Sequence, residues 1–158
     1  MKAIQVSEAR ARLGAVWNAA VYEREIRGIV KKGARGGALL LGSKDVVELL
    51  PGIAFHPVYG EHDGGVSLWL AEFSVYAEGD TREEAEESLL EEVRDYVEMY
   101  LGDLAFRQAP NRRPHFRHVV AAYVADLDGR LRETLLAHVQ QAKDEPAASA
   151  VRDLATTG

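Results

Sequence analysis

The sequence predicts an α+β fold in two unequal units, and three observations carry that prediction. Strand-like and helix-like stretches are interspersed without any internal repeat. Pro51-Gly52 closes a helix-like segment and marks a boundary. The charge changes sign at the same place: residues 1–50 hold nine Lys/Arg against five Asp/Glu, whereas residues 51–158 hold ten against twenty. The expected order is β-α-β-β-α in residues 1–50 and β-β-β-α-β-α in residues 53–142, with a tail over 143–158.

In the first unit Ala3-Ile4-Gln5-Val6 reads as a strand and Ser7 as the N-cap of a helix reaching about Glu25. Ala9, Leu13, Val16, Trp17, Ala20 and Val21 follow the spacing of one helix face. Ile29-Val30 and Ala38-Leu39-Leu40-Leu41 read as strands joined by a glycine-rich turn, Lys31 to Gly37. Ser43 is placed to cap a short helix from Lys44 to Leu50. So small a unit buries little surface by itself, and a three-stranded sheet cannot cover Leu13, Trp17 and Val21. These three residues are therefore the expected homodimer interface.

The second unit opens with a strand from Ile53 to Tyr59, with Pro57 favouring an edge position, and a turn at Glu61–Gly65. Val66 to Phe73 is a strand apolar on both faces, and Ser74 to Ala77 continues it or starts another. Thr81-Arg82-Glu83-Glu84 is a capping box. It opens a long helix with Ala85, Leu89, Val93, Tyr96, Val97 and Tyr100 inward and a run of glutamates outward. A loop at Pro110–Pro114, a strand at Val119–Val124 and a helix from Gly129 to about Ala142, capped by Asp128, complete the unit. From Lys143 the composition turns to small and polar residues, as in mobile tails.

Composition excludes several classes. The absence of cysteine removes disulfide scaffolds, thiolate metal sites and cysteine nucleophiles, and suits a reducing cytoplasm. No apolar run approaches a membrane span, and Glu8, Arg10 and Arg12 sit where a secretion signal would need an apolar stretch. The net charge of −6 argues against a polyanion partner for the whole chain, but the basic first unit argues for one locally. No phosphate-binding loop, serine-hydrolase elbow or zinc-protease motif is present, and no cofactor is called for.

Val6-Ser7-Glu8-Ala9-Arg10-Ala11-Arg12-Leu13, then Lys31-Lys32-Gly33 with a leucine-rich strand, then Ser43-Lys44-Asp45, together resemble the Phd/YefM-type antitoxins over residues 1–50. The hairpin is longer here, by Ala34-Arg35-Gly36-Gly37, and Trp17 is bulkier than the usual aliphatic. The resemblance implies a Phd-like dimerisation module whose paired copies bind operator DNA. On this reading Arg10, Arg12, Lys31, Lys32 and Arg35 are the DNA-binding candidates. Arginine and lysine neutralise phosphates, and arginine can also read guanine. An exposed helix charge or a solvated turn would use the same residue types.

Residues 53–142 resemble HicB-like antitoxin domains, which have a partial RNase-H-like fold. Gly79-Asp80-Thr81-Arg82-Glu83-Glu84-Ala85 at the helix entry carries this resemblance. Leu70-Ala71-Glu72-Phe73-Ser74 stands where that family commonly has Pro-Asp-Leu-x-Gly. Phd-like antitoxins extended by such a domain, and assigned to RelE/RelB-type systems, share a loop similar to Ala109-Pro110-Asn111-Arg112. Glu83, Glu84, Glu86, Glu87, Glu91, Glu92, Asp95 and Glu98 would give the long helix an acidic surface suited to a basic toxin.

The combined expectation is a type II antitoxin. It would neutralise a cognate, RelE-like toxin by direct binding and repress its own operon as a homodimer or higher even oligomer on operator DNA. The toxin-binding residues are left open. Two other readings use other residues. A stand-alone dimeric regulator would use the acidic unit for ligand sensing or dimerisation. A weak metal-dependent nuclease would need Glu72, Asp80, Asp126 and Asp128 to converge on magnesium, or His115 and His118 to pair on a metal.

Overall fold

The computed structural model describes residues 2–33 and 36–141. Arg35 and the predicted tail at 143–158 lie outside the described residues. The chain divides into two compact units, Met1–Pro51 and Gly52–Gly158.

In the first unit strand β1 (Lys2–Gln5) is followed by helices α1 (Val6–Ala11) and α2 (Leu13–Val21), strands β2 (Arg27–Val30) and β3 (Gly37–Leu40), and helix α3 (Ser43–Leu49). β1 runs parallel to β2 with Ile4 opposite Ile29, and β2 pairs antiparallel with β3. The predicted single helix is two. Arg12 leaves helical geometry at φ −125° and ψ 34°, so the helix breaks there, and α2 ends at Val21 short of the expected Glu25. Ser7 is not the cap: Gln5 holds that position and the helix starts at Val6. Likewise α3 begins at Ser43 itself, with Gly42 in the capping position and packed against the Ala20 carbonyl.

This break divides the apolar stripe. Ala9 and Val16 turn inward and join Ile4, Ile29 and Leu40 in a small core, and Ala20 is fully buried. Leu13 and Trp17 stay outside, 63% and 52% exposed.

The second unit contains β4 (Val58–His62), β5 (Gly65–Leu70), β6 (Val75–Gly79), α4 (Arg82–Gly102), α5 (Leu104–Gln108), a 3-10 turn (Arg113–His115), α6 (Phe116–Leu127), α7 (Leu131–Leu136) and β7 (Gln140–Gln141). The sheet order is β6-β5-β4-β7, with β7 parallel to β4. The first strand lies further on than Ile53–Tyr59 because Pro57, which has no N–H, precedes the ladder. The turn therefore tightens to Asp63-Gly64, and β5 ends at Leu70. Phe73 is buried from a turn, not a strand, and Ser74 carries a positive φ of 56° before β6.

Two expectations fail in the last third. Val119–Val124 is not a strand but lies inside α6, and α5 was unanticipated. Asp128 does not open a helix: it is the C-cap of α6, and the following helix is only Leu131–Leu136, so the predicted run to Ala142 is shortened. The second unit is thus β-β-β-α-α-α-α-β among the described residues, not β-β-β-α-β-α.

The long helix forms as expected. The Thr81 side chain accepts from the Glu84 N–H at 3.2 Å, and the Glu84 carboxylate accepts from the Thr81 N–H at 3.2 Å. Gly79 is required beneath it, because a Cβ there would lie 2.5 Å from the Ala85 nitrogen. Ala85, Leu89, Val93, Tyr96, Val97 and Tyr100 are all buried against Leu68, Leu70 and Phe73 on one side and Val119, Ala122 and Leu135 on another.

Candidate functional site

The predicted DNA-binding residues occupy two places on the first unit. Lys31 and Lys32 are exposed in the turn after β2. That turn leaves the end of the sheet where Gln5, Val30 and Gly37 lie side by side and β1 enters α1. Arg10 is exposed in the last turn of α1. Arg12 makes a loose i,i+4 ion pair with Glu8 at 3.6 Å, both side chains being well exposed. It lines a shallow cleft with Ile4, Glu8, Ala15, Val16 and Arg27.

Arg27 opens β2, at the opposite end of that strand from the lysine turn. The structure therefore does not gather Arg12 with Lys31 and Lys32. It brings Arg12 to Arg27, which lies between the predicted helix end at Glu25 and the predicted strand at Ile29 and was not among the candidates. Arg27 is mostly buried and ion-paired with Glu25, and its Nε has no hydrogen-bond partner.

The predicted dimer residues lie on an open surface. Leu13 and Trp17 are exposed, Val21 is half-buried, and Tyr22 beyond them is 76% exposed. Of the fourteen large apolar side chains exposed among the described residues, eight belong to the first unit, although it is the smaller. Exposed large apolar side chains are thus denser on this unit than on the second.

On the second unit the acidic face of α4 is as expected, with one exception. Glu86 is buried, and its carboxylate receives Arg82 Nε at 2.7 Å and Arg132 Nη2 at 2.6 Å, which ties α4 to α7. Glu83, Glu87, Glu91, Glu92, Asp95 and Glu98 are exposed. Glu87 also meets Arg132.

A second cluster was not anticipated. Arg112 lies over the rings of Phe106 and Tyr96, at 5.1 and 5.6 Å from their centroids. Its Nη1 is 3.5 Å from both the Tyr96 hydroxyl and the Phe73 carbonyl. The Tyr96 hydroxyl is 2.5 Å from His115 Nδ1. Burial raises the Tyr96 pKa from its ordinary value, against the opposing pull of Arg112. Burial also lowers that of His115, helped by Arg112 and His118. Both shifts favour the neutral forms, so the contact joins an uncharged hydroxyl and an uncharged imidazole. This chain of contacts fixes the 109–115 segment against α4. His115 and His118 both pack on Phe73.

The carboxylates considered for metal chemistry are dispersed among local partners. Glu72 Oε1 lies 3.0 Å from both the His56 backbone nitrogen and His56 Nδ1. Asp126 pairs with Arg94 at 3.0 Å, Asp128 pairs with Arg130 at 3.1 Å, and Asp80 precedes the capping box. Among the described residues no three His, Asp or Glu side chains gather to hold a metal ion. None of the described helices is long and apolar enough to cross a membrane.

A two-unit α+β chain with an open apolar face beside basic residues, and a separate acidic unit, has the features of a binding protein. Residues 1–137 match the family described as PHD-like, antitoxin of RelE/RelB toxin–antitoxin systems, and the chain belongs to that family. Among solved structures it resembles the crystal structure of an antitoxin part of a candidate toxin/antitoxin system from Syntrophomonas wolfei subsp. wolfei. The identity is 18% and the TM-score 0.68, over 90% of this chain and 100% of that one. The search of curated proteins found no match.

Proposed function

We propose that this antitoxin works as a dimer whose first units grip operator DNA and whose second unit neutralises a toxin by direct binding. Copies pair through Leu13, Trp17 and Val21, placing two sets of Arg10, Arg12, Lys31, Lys32 and Arg35 on one assembly. Pairing matters because one unit offers only a few phosphate contacts, whereas a two-fold assembly doubles them and matches a palindromic operator. Repression of the antitoxin's own operon follows from occupancy of that operator.

The observation that carries this reading is the exposure of Leu13 and Trp17 on a unit rich in Lys and Arg. Its test is a mobility-shift titration on the DNA upstream of the chain's own reading frame, repeated across salt concentrations. Specific, salt-sensitive binding that is lost with Leu13→Glu plus Trp17→Glu supports it. Binding unchanged by that double substitution would rule out pairing through this face.

A further inference from the structure

We propose that the groove between α4 and α6 is the docking site for the partner toxin, and that it takes an apolar segment flanked by lysine or arginine. This rests on the reading that the second unit neutralises a toxin by direct contact.

The first observation is the outer face of α6. Its inner face, Val119, Ala122 and Ala125, belongs to the core. A second apolar stripe faces solvent: Phe116 is 51% exposed, Tyr123 45% and Leu127 64%, with half-buried Val120 between them. Their spacing of four, three and four residues is that of a seam which packs against another helix. A helix apolar on both faces and covered on one lacks a neighbour.

The second observation is what lies beside it. An open cavity of about 600 Å³ runs between α4 and α6, walled by Val93, Val97, Leu101, Ala122, Tyr123 and Leu131. Arg94 and Asp126 clasp each other at 3.0 Å among its lining residues. All six large apolar side chains that the described part of the second unit exposes fall between Met99 and Leu127. The apolar surface is thus concentrated at this end of α4, in α5 and on α6, rather than scattered as on an ordinary surface.

The third observation selects the occupant. Glu98 lines the groove, and Glu91, seven residues earlier, lies on the same face of α4. Both are exposed, and neither takes part in the ion pairs found among the described residues. In a two-fold contact between copies the same patch would meet itself, so these carboxylates would gather on one interface. Residues 51–158 carry twenty acidic against ten basic residues, which adds to that repulsion. A partner with an apolar stripe and flanking cations fills the groove and neutralises its rim.

The test uses the full chain and, as probe, the protein encoded by the reading frame adjacent to its own, co-expressed, separated and titrated by calorimetry. Leu127→Glu and Tyr123→Ser change exposed side chains, and thermal melting confirms that each variant folds. Each is expected to weaken binding at least tenfold, and Glu91→Lys with Glu98→Lys several-fold with a flatter salt dependence. Leu39→Ser, an exposed position in the first unit, should leave the affinity within twofold. Wild-type affinity in both Leu127→Glu, on the stripe beside the groove, and Tyr123→Ser, on its wall, would overturn the docking site while leaving direct neutralisation intact. A smaller mass of the free chain on Leu127→Glu would show that the groove seats a second copy, and would overturn it too. Absence of any complex with the unmodified chain would instead defeat the neutralisation reading itself.

Discussion

Replacing Trp17 with serine tests the dimer surface, and its effect can be sized from the structure. Trp17 is 52% exposed in the single chain. A buried aromatic side chain covers roughly 150–250 Å², so about 100 Å² remains open to a partner. At about 25 cal/mol per Å², covering it would stabilise association by about 2.5 kcal/mol. A two-fold interface contains the residue twice, which sets an upper value of about 5 kcal/mol; incomplete covering reduces this to about 3 kcal/mol. Since 1.4 kcal/mol is a factor of ten, Trp17→Ser should raise the dimer dissociation constant about a hundredfold. Sedimentation equilibrium over a dilution series measures this, with melting as a check on the fold. Equal dissociation constants for the two chains, or an unmodified chain that stays monomeric at high concentration, would refute the argument.

Lys31→Ala with Lys32→Ala removes four lysines from the dimer and should flatten the slope of log affinity against log salt on operator DNA by about 4, with little change in sequence preference, as read by mobility shift. Gly79→Ala forces a Cβ to 2.5 Å from the Ala85 nitrogen at the start of α4. It should cost about 1–3 kcal/mol in urea unfolding. Because His115 is held neutral in the fold, the unfolded chain binds a proton more readily. Stability is then full above the ordinary histidine pKa of 6.5 and falls as pH drops through the lowered folded value. Melting temperatures between pH 7.5 and 5 should show this loss, and His115→Gln should reduce it.

The helix periodicity of residues 9–21 was legible, but it could not reveal that the apolar residues serve two surfaces. Ala9 and Val16 are small enough to pack on a three-stranded sheet, whereas Leu13 and Trp17 exceed what that sheet covers. Residue size, not period, separates the two sets. The break at Arg12 leaves no comparable signal, since the residue at which it falls is neither glycine nor proline. The α4 entry was readable because its chemistry is local: Thr81 and Glu84 satisfy each other within one turn. Glu86 was misplaced on the surface because its second cation, Arg132, comes from 46 residues further on.

The misreading of α6 has a physical cause that bears on function. Val119 to Val124 holds three valines, two alanines and a tyrosine, and over six residues a helix apolar on two faces cannot be told from a buried strand. Widening the window to Phe116–Leu127 separates them. Val119, Ala122 and Ala125 lie three residues apart on the buried side, while Phe116, Val120, Tyr123 and Leu127 form the outer stripe. A helix that only had to complete this unit's core would carry polar residues on that outer stripe. The apolar side chains that obscured the period are thus the ones without a partner in the folded unit. The ambiguity in the sequence and the open face in the structure have one origin: α6 is built to be covered on both sides.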